Sequence, residues 1–202
     1  MNFFLTPATK LTYFFLTFAI MLVPIAQQPV AQEAAASAAE TSKPFSQQEL
    51  DELLAPIALY PDALLAQVLM AATYPMEVVE AARWQKANPD LKEKALEDAL
   101  EKQSWDPAVK SITAVPQVLT MMDEKLDWTQ KLGDAFLAQQ AEVMQTVQNL
   151  RTKADEAGNL ESSPEQTVKK ETEAGQTIVI IESPQPETVY VPVYNPVTIY
   201  GP

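Results

Sequence analysis

The sequence predicts a mainly α-helical protein: a bundle of short helices that begin at prolines, one long helix, and a small C-terminal β-hairpin. Three observations lead to this prediction. Apolar residues recur at three- and four-residue spacing from about residue 50 to residue 157. Prolines divide this pattern into runs, and proline is favoured in the first turn of a helix. Only near residue 177 does the chain change to β-branched and alternating runs, which are typical of strands.

The first 26 residues have the layout of a secretory signal peptide. Residues 11–26 are apolar except for two threonines, and Lys10 precedes them. A helix of this length spans about 24 Å, whereas the hydrocarbon core of a bilayer is about 30 Å thick. We therefore expect an exported, periplasmic protein. Because no small-x-small cleavage site follows directly, anchoring in the inner membrane by uncleaved residues 11–26 stays open as the alternative.

The folded part is expected to begin at Phe45. Residues 27–44 are rich in Gln, Ala, Ser and Glu without a sustained apolar period, which predicts a disordered linker. Ser46 and Glu49 have the spacing of a capping box, in which each side chain binds the backbone N–H of the other. An apolar face follows at Leu50, Leu53, Leu54 and Ile57. The helical domain is predicted to cover residues 45–160.

Prolines predict the starts of the next helices. Pro61, Pro75 and Pro89 stand fourteen residues apart, and each precedes a helical pattern. Asn88 is a suitable cap for the third of these helices. Two further starts are predicted at Pro107, which follows Asp106, and at Pro116, which follows Val115.

The longest helix is predicted to begin at Asp127 and to end near Ala157, with Gly158 as a left-handed stop. Its apolar residues follow four-and-three spacing, which indicates a narrow contact seam. That seam either packs on the short helices of the same chain or joins a second copy.

The C-terminal part is expected to hold the β-structure. Residues 161–176 are polar and predict a flexible linker. In the β segment, residues 177–202, two strands are predicted at residues 177–182 and 188–193. Pro192 cannot donate a ladder hydrogen bond, so we expect the second strand to lie at an edge. A pair of strands is marginally stable alone and should pack on the helices or on a partner.

Four segments in this order resemble a bacterial envelope family catalogued as domain of unknown function 3300. They are residues 53–84 (LLAPIALYPDALLAQVLMAATYPMEVVEAARW), 105–110 (WDPAVK), 126–151 (LDWTQKLGDAFLAQQAEVMQTVQNLR) and 189–196 (VYVPVYNP). The likeness covers roughly residues 45–202. It implies export in Gram-negative bacteria and a mainly helical domain, but no reaction. Relatives often continue past the last segment into a long tail rich in aromatic, Gly and basic residues.

The composition excludes several kinds of chemistry. The chain has no histidine and no cysteine, which removes Ser–His catalysis, thiol nucleophiles and the usual zinc ligands. Its four glycines are isolated, so no phosphate-binding loop is present. We therefore predict no cofactor and no metal. The net charge of −13 disfavours nucleic acids and anionic lipid surfaces, so membrane contact is expected only through residues 11–26.

One enzymatic alternative stays open. Two carboxylates facing each other in a cleft can cleave glycans of the cell wall. The sequence does not select a pair, and helix capping is the simpler explanation for Asp106 and Asp127. The candidates near aromatic residues are Asp62, Glu77, Glu80, Asp106, Asp123 and Asp127.

Aromatic residues are the candidate binding residues. Five of them lie near helix ends and could line a groove for a peptide or sugar, or serve as core anchors. Tyr190, Tyr194 and Tyr200 are expected to share an exposed face of the C-terminal strands, where a partner strand could add. We predict a non-catalytic exported module that binds or scaffolds an envelope protein or peptide, with a glycan as a possible ligand and a membrane-tethered spacer as a third interpretation. The five residues near helix ends are Tyr60, Tyr74, Trp84, Trp105 and Trp128.

Overall fold

A computed structural model describes residues 44–173, 175–185 and 189–201 of the chain. The predicted signal segment, residues 1–26, and residues 27–43 of the predicted linker lie outside the described residues. The described part is mainly helical and carries a two-stranded sheet, which confirms the predicted fold class. Its elements are α1 (Gln47–Leu54), α2 (Asp62–Ala72), α3 (Pro75–Ala87), α4 (Glu93–Leu100), α5 (Pro107–Thr113), α6 (Pro116–Glu124), α7 (Leu126–Ala138), α8 (Gln140–Glu156), β1 (Thr167–Glu173), β2 (Gln176–Glu182) and α9 (Pro196–Tyr200).

The predicted capping box at the start of α1 is confirmed. The backbone N–H of Glu49 donates to the Ser46 hydroxyl at 3.3 Å, and the Glu49 carboxylate accepts from the backbone N–H of Ser46 at 2.8 Å. These hydrogen bonds lower the pKa of Glu49, with the backbone bond as the larger cause. The cap therefore satisfies two N–H groups at a helix end that has no internal partners for them.

Four of the five predicted proline starts are also confirmed. Pro61 occupies the N-cap of α2, and three further prolines occupy the first turn of α3, α5 and α6. Asp106 caps α5, because its Oδ1 accepts from the backbone N–H of Ala108 at 2.8 Å. The three prolines at the first turn are Pro75, Pro107 and Pro116.

The predicted helix start at Pro89 is wrong. Helix α4 begins at Glu93, and residues before it form a turn. Asn88 ends α3 instead of beginning α4: its side-chain amide donates to the carbonyl oxygen of Trp84 at 2.8 Å. The residue that was expected to cap the next helix is therefore used to close the preceding one.

The predicted single long helix is two helices. The backbone breaks at Gln139, with φ −142° and ψ 49°, so that α7 ends at Ala138 and α8 begins at Gln140. The Gln139 side chain accepts from the backbone N–H of Phe45 at 2.8 Å and donates to its carbonyl oxygen at 3.2 Å. Asp127 lies in the first turn of α7 and does not cap it, since the N-cap is Lys125. Gly158 has φ 72°, which confirms the left-handed stop.

The hairpin uses a different pair of strands from the one predicted. β2 contains the predicted strand, but its antiparallel partner is β1, which precedes it. The expectation of a flexible linker over residues 161–176 is therefore wrong for Thr167–Glu173. Residues 189–195 are irregular, so the second predicted strand is wrong wherever the structure describes it. The sequence of β1 is polar because the strand lies at the surface, where the Lys169 ammonium pairs with the Glu182 carboxylate at 2.7 Å.

Two apolar clusters stabilise the fold. The larger one lies among α1 to α8, and the smaller one joins β2 to α8 through Leu59, Ala154 and Ile181. Helices α2 and α7 cross backbone against backbone at Gly133, where a Cβ atom would collide with the carbonyl oxygen of Ala72. None of the helices within the described ranges has both the length and the apolar character needed to cross a membrane.

Candidate functional site

Arg151 of α8 is the most buried charged side chain in the described part of the protein, with 1% of its surface exposed. Its Nε donates to the carbonyl oxygen of Ala58 at 2.8 Å, and its Nη2 donates to that of Tyr60 at 3.0 Å. Its Nη1 donates to the carbonyl oxygen of Val179 in β2 at 2.9 Å. One guanidinium group therefore holds the α1–α2 turn and the hairpin on the same helix.

Asp62 provides the counter-charge to Arg151. The Asp62 carboxylate lies 2.6 Å from Nη1, while its side chain is 45% exposed. This contact does not have hydrogen-bond geometry, so we treat it as an ion pair only. Because the charge of Arg151 is paired, three of its five N–H groups donate within the protein and the side chain is 1% exposed, it has a structural role and little capacity to bind a ligand.

Tyr194 and Tyr200 are turned into the domain. The Tyr194 hydroxyl donates to the carbonyl oxygen of Ala55 at 2.9 Å and accepts from the backbone N–H of Leu59 at 3.3 Å. The Tyr200 hydroxyl lies 3.2 Å from the same carbonyl oxygen. Burial raises the pKa of both phenols, that of Tyr200 to about 12. The expected exposed face of Tyr190, Tyr194 and Tyr200 is therefore wrong for the last two residues.

Three predicted binding residues are core anchors. The rings of Trp84 and Trp105 meet edge to face, with centroids 5.8 Å apart. The Trp105 indole N–H donates to Glu80 at 3.3 Å. Tyr60 is 5% exposed, and burial raises its pKa. These contacts are those of anchors whose polar tips find partners inside the fold.

The other predicted aromatic residues lie apart from one another. Trp128 donates to the carbonyl oxygen of Leu53 at 3.0 Å and lines a shallow hollow beside Phe45. Tyr190 lines a different hollow. Tyr74 is 40% exposed and lines neither of them. The structure thus brings Trp84 and Trp105 together, but these side chains do not form one aromatic groove.

The candidate carboxylates serve structural contacts. Glu77 accepts from the backbone N–H of Asp106 at 2.7 Å, and Asp106 itself caps α5. Asp123 pairs with Lys86 at 3.0 Å. In the described ranges there is also no group of three or more His, Cys, Asp or Glu residues placed to hold a metal ion. These contacts explain why acidic residues occupy these positions without invoking catalysis.

An apolar groove, here called the methionine groove, lies between α2 and α8. It has a volume of about 420 Å³. One end is bounded by the Asp62–Arg151 ion pair, and α7 contributes Phe136 near the other end. Its lining consists of Asp62, Leu65, Ala66, Leu69, Met70, Phe136, Gln140, Met144, Val147, Gln148 and Arg151.

Large apolar side chains are exposed at this groove. Met70 and Met144 are each 43% exposed. A neighbouring hollow contains Leu137, which is 71% exposed, and Asp134. Contiguous exposed apolar surface marks interaction sites, and methionine is suited to them because its flexible, polarisable side chain adapts to a partner. The methionine groove is therefore the best candidate binding site of the protein.

A larger hollow lies between the start of α2, α5 and β2, with a volume of about 580 Å³. Of its apolar wall residues, Leu64, Val115 and Ile181 are buried, whereas Val189 is 49% exposed. Its two carboxylates, Asp62 and Glu182, are both ion-paired. The wall of this hollow is more polar than that of the methionine groove, so the groove is the better site for an apolar occupant.

Sequence reasoning missed the methionine groove. The available signal was that α2 is apolar over most of its circumference, although only one face of a surface helix needs to be apolar. Met70 therefore lies outside the stripe that packs on the core. Met144 lies on the opposite wall, and the sequence alone does not show that α8 faces α2 at this position.

Comparison with known proteins identifies relatives of the chain. A family profile described as "Protein of unknown function (DUF3300)" matches residues 46–202. The "Uncharacterized protein YacH" of Escherichia coli (strain K12) is 43% identical over an alignment 185 positions long, and the match covers 78% of this chain and 30% of YacH. The chain therefore spans less than a third of the length of this curated relative. No solved structure matches.

Proposed function

The chain belongs to the DUF3300 family, and we propose that it is a non-catalytic module of the bacterial cell envelope that binds a protein partner through the methionine groove. The observation that carries this proposal is the exposure of Met70 and Met144 on facing walls of an open apolar groove. The signal-like pattern of residues 11–26 supports the envelope location.

The groove suits a transient partner. Full burial of a methionine side chain is worth about 1.5–3 kcal/mol, so covering the exposed parts of Met70 and Met144 contributes about 1 kcal/mol each. Phe136, which is partly buried, adds a smaller contribution. A micromolar complex requires about 8 kcal/mol, so neighbouring contacts such as those at Leu137 must add to the groove. Because the groove alone supplies only part of that free energy, we expect a weak, transient complex.

The non-catalytic part of the proposal rests on the chemistry available. The chain lacks histidine and cysteine, so a carboxylate pair is the remaining enzymatic option. Glu77 and Glu80 accept structural hydrogen bonds, and Asp106 caps a helix. Asp62 and Asp123 form ion pairs. Their existing contacts support a structural use of these side chains.

Photo-crosslinking in living bacteria tests the proposal. A photoreactive amino acid is placed, one position at a time, at Met70 and Met144, and at Met76 as the control. Met76 is 66% exposed but does not line the groove. We expect the same partner to be cross-linked at both groove positions and not at Met76. The cross-link at the Met70 position should be lost when Met144→Glu is also present. Equal products at all three positions, or none at the groove, would overturn the proposal.

A further inference from the structure

We propose that the occupant of the methionine groove is a single amphipathic α-helix of the partner, flanked by lysine or arginine residues. This inference rests on the proposed function and specifies the partner's binding element. The shape of the groove, the chemistry of its walls and the distribution of charge around it carry the argument.

The shape matches a helix. The residues of α2 that line the groove, from Asp62 to Met70, recur at three- and four-residue spacing and form one side of that helix. Those of α8, from Gln140 to Arg151, do the same. The two walls are about 12 Å and about 17 Å long at about 1.5 Å per residue, which accommodates two to three turns of a third helix.

The neighbouring helices leave the groove open along its length. α2 packs chiefly on α5 and α7, whereas α8 packs chiefly on α1. The Asp62–Arg151 ion pair joins the two walls at one end. A helix laid between them would place its side chains between the exposed ones of Met70 and Met144, which is how helices pack in bundles.

The walls do not suit an extended peptide. A peptide that binds as a strand gains its affinity from main-chain hydrogen bonds to a free strand edge. Both long walls of this groove are α-helices, whose backbone groups are bonded within the helix. An extended occupant would therefore leave its own N–H and C=O groups without partners, whereas a helix satisfies them internally.

The charge favours a basic partner over a second copy of this chain. The chain carries a net charge of −13, so two copies repel each other. The cation in the groove lining, Arg151, is 1% exposed and ion-paired. Asp62 remains partly exposed at one end, and Asp134 is exposed in the hollow beside Phe136. A basic residue on one flank of the bound helix would meet the Asp134 carboxylate, whereas at the other flank the charge of Asp62 is shared with Arg151 and attracts less strongly.

Three synthetic peptides test the inference against the purified full-length protein. All share one apolar stripe at three- and four-residue spacing. The first has lysines on its flanks, the second has glutamates there, and the third has the lysines and a central proline that breaks the helix. Isothermal titration calorimetry should give a dissociation constant for the first that is at least tenfold lower than for the other two. Circular dichroism should show that only complexes with the first gain helical signal.

Protein variants locate the binding. Met144→Glu and Met70→Glu should each weaken binding of the lysine-flanked helix at least tenfold, whereas Met76→Glu should leave it within twofold. Thermal unfolding of each variant shows whether it is folded, and two groove variants are used so that one folding failure does not remove the test.

The outcomes separate this inference from the proposed function. If cross-links form at Met70 and Met144 in cells while the proline-containing or glutamate-flanked peptide binds as well as the lysine-flanked helix, the function stands and the inference is wrong. If no peptide binds, or if a dimer in analytical ultracentrifugation is lost in Met144→Glu, the groove has another occupant and the inference is also wrong. Tight binding of palmitate that blocks the helix would assign the groove to an acyl chain.

Discussion

Tyr194 and Tyr200 stand edge to face, with ring centroids 6.2 Å apart, and both hydroxyl groups reach the carbonyl oxygen of Ala55. The Tyr194 hydroxyl also accepts from the backbone N–H of Leu59. The pair attaches the C-terminal segment to the turn between α1 and α2. Backbone N–H and C=O groups in turns usually form hydrogen bonds with solvent. Leu59 is buried, so its backbone N–H needs a partner within the protein.

Replacing Tyr194 by phenylalanine should destabilise the domain. Tyr194→Phe removes the acceptor of the buried Leu59 N–H and weakens the bonding of the Ala55 carbonyl. A buried group left without a partner costs about 1–3 kcal/mol, so the free energy of unfolding in urea should fall by that amount. Tyr190→Phe is the matched control, because its hydroxyl has no hydrogen-bond partner within the described residues, and it should change stability by less than about 0.5 kcal/mol. Equal effects of the two changes would contradict this account.

Stability should fall in alkaline solution. Burial raises the pKa of Tyr200 from 10.0 to about 12 and raises that of Tyr194 further. A raised pKa means that the folded state keeps a proton that the unfolded state loses, so this contribution is complete below pH 10 and decreases as the pH rises toward 12. Urea unfolding from pH 8 to pH 11 measures it. In the double variant Tyr194→Phe and Tyr200→Phe, the free energy of unfolding should be lower at pH 8 and should decline less steeply with pH. If the free energies of the two proteins decline in parallel, the tyrosines do not cause the alkaline loss of stability.

Arg151→Met should cause the largest loss of stability among the side-chain changes considered. It leaves the carbonyl oxygens of Ala58, Tyr60 and Val179 without this donor and Asp62 without its counter-charge. Leaving a buried carbonyl oxygen without its donor costs about 1–3 kcal/mol, and three carbonyls lose one here, so we expect a loss of at least about 3 kcal/mol. Asp62, whose side chain is 45% exposed, can be solvated instead. The control is Lys153→Met, since Lys153 makes only an exposed ion pair at 3.9 Å, and it should cost no more than about 1 kcal/mol. Urea unfolding compares the two.

Gly133→Ala should destabilise the protein even though alanine is the better helix former. The added Cβ would collide with the carbonyl oxygen of Ala72, which belongs to a backbone that cannot rotate away. Overpacking of this kind costs about 1–3 kcal/mol, against a helix-propensity gain of about 1 kcal/mol. Gly158→Ala, where no atom lies within 4 Å but φ is +72°, isolates the conformational cost of about 1–2 kcal/mol. If Gly133→Ala raises the thermal unfolding temperature, the claim that α2 and α7 approach each other closely at Gly133 is contradicted.

Hydrogen peroxide should oxidise the methionines in order of exposure. Met76, Met70 and Met144 are exposed, whereas Met122 is fully buried. Transfer of one oxygen atom from peroxide to the thioether gives the polar sulfoxide and water, so oxidation of the groove residues should also weaken binding of the lysine-flanked helix. Peptide mapping by mass spectrometry measures each site. Oxidation of Met122 in the folded protein as fast as Met144 would contradict the packing described.

Most of the predicted signals that act within one helical turn are present, although the caps predicted at Asn88 and Asp127 are not. The capping box at Ser46, the Asp106 cap and the Gly158 stop each depend on residues a few positions away, and all three are present. The break at Gln139 was not predictable, because its side chain binds Phe45, 94 positions earlier. The polar composition of strand β1 predicts a linker, because pairing with β2 leaves its charged side chains in solvent.

The candidate site was less predictable than the fold. Aromatic side chains near helix ends suggested a groove, but most of them are anchors of the core. Trp105, for example, is 8% exposed and bonds to Glu80. The methionine groove depends on the separation of α2 and α8, and that separation is set by helices which pack on other sides of both. The spacing of apolar residues along α2 or α8 carries no information about the distance between the two helices.

The α1–α2 turn is secured by side chains that lie far downstream. Arg151 follows Ala58 by 93 positions, and Tyr200 follows Ala55 by 145. As the polypeptide leaves the ribosome, this turn is made long before its partners exist. The turn therefore acquires these hydrogen bonds only when translation has almost reached the last described residues, so its final conformation is completed late in synthesis.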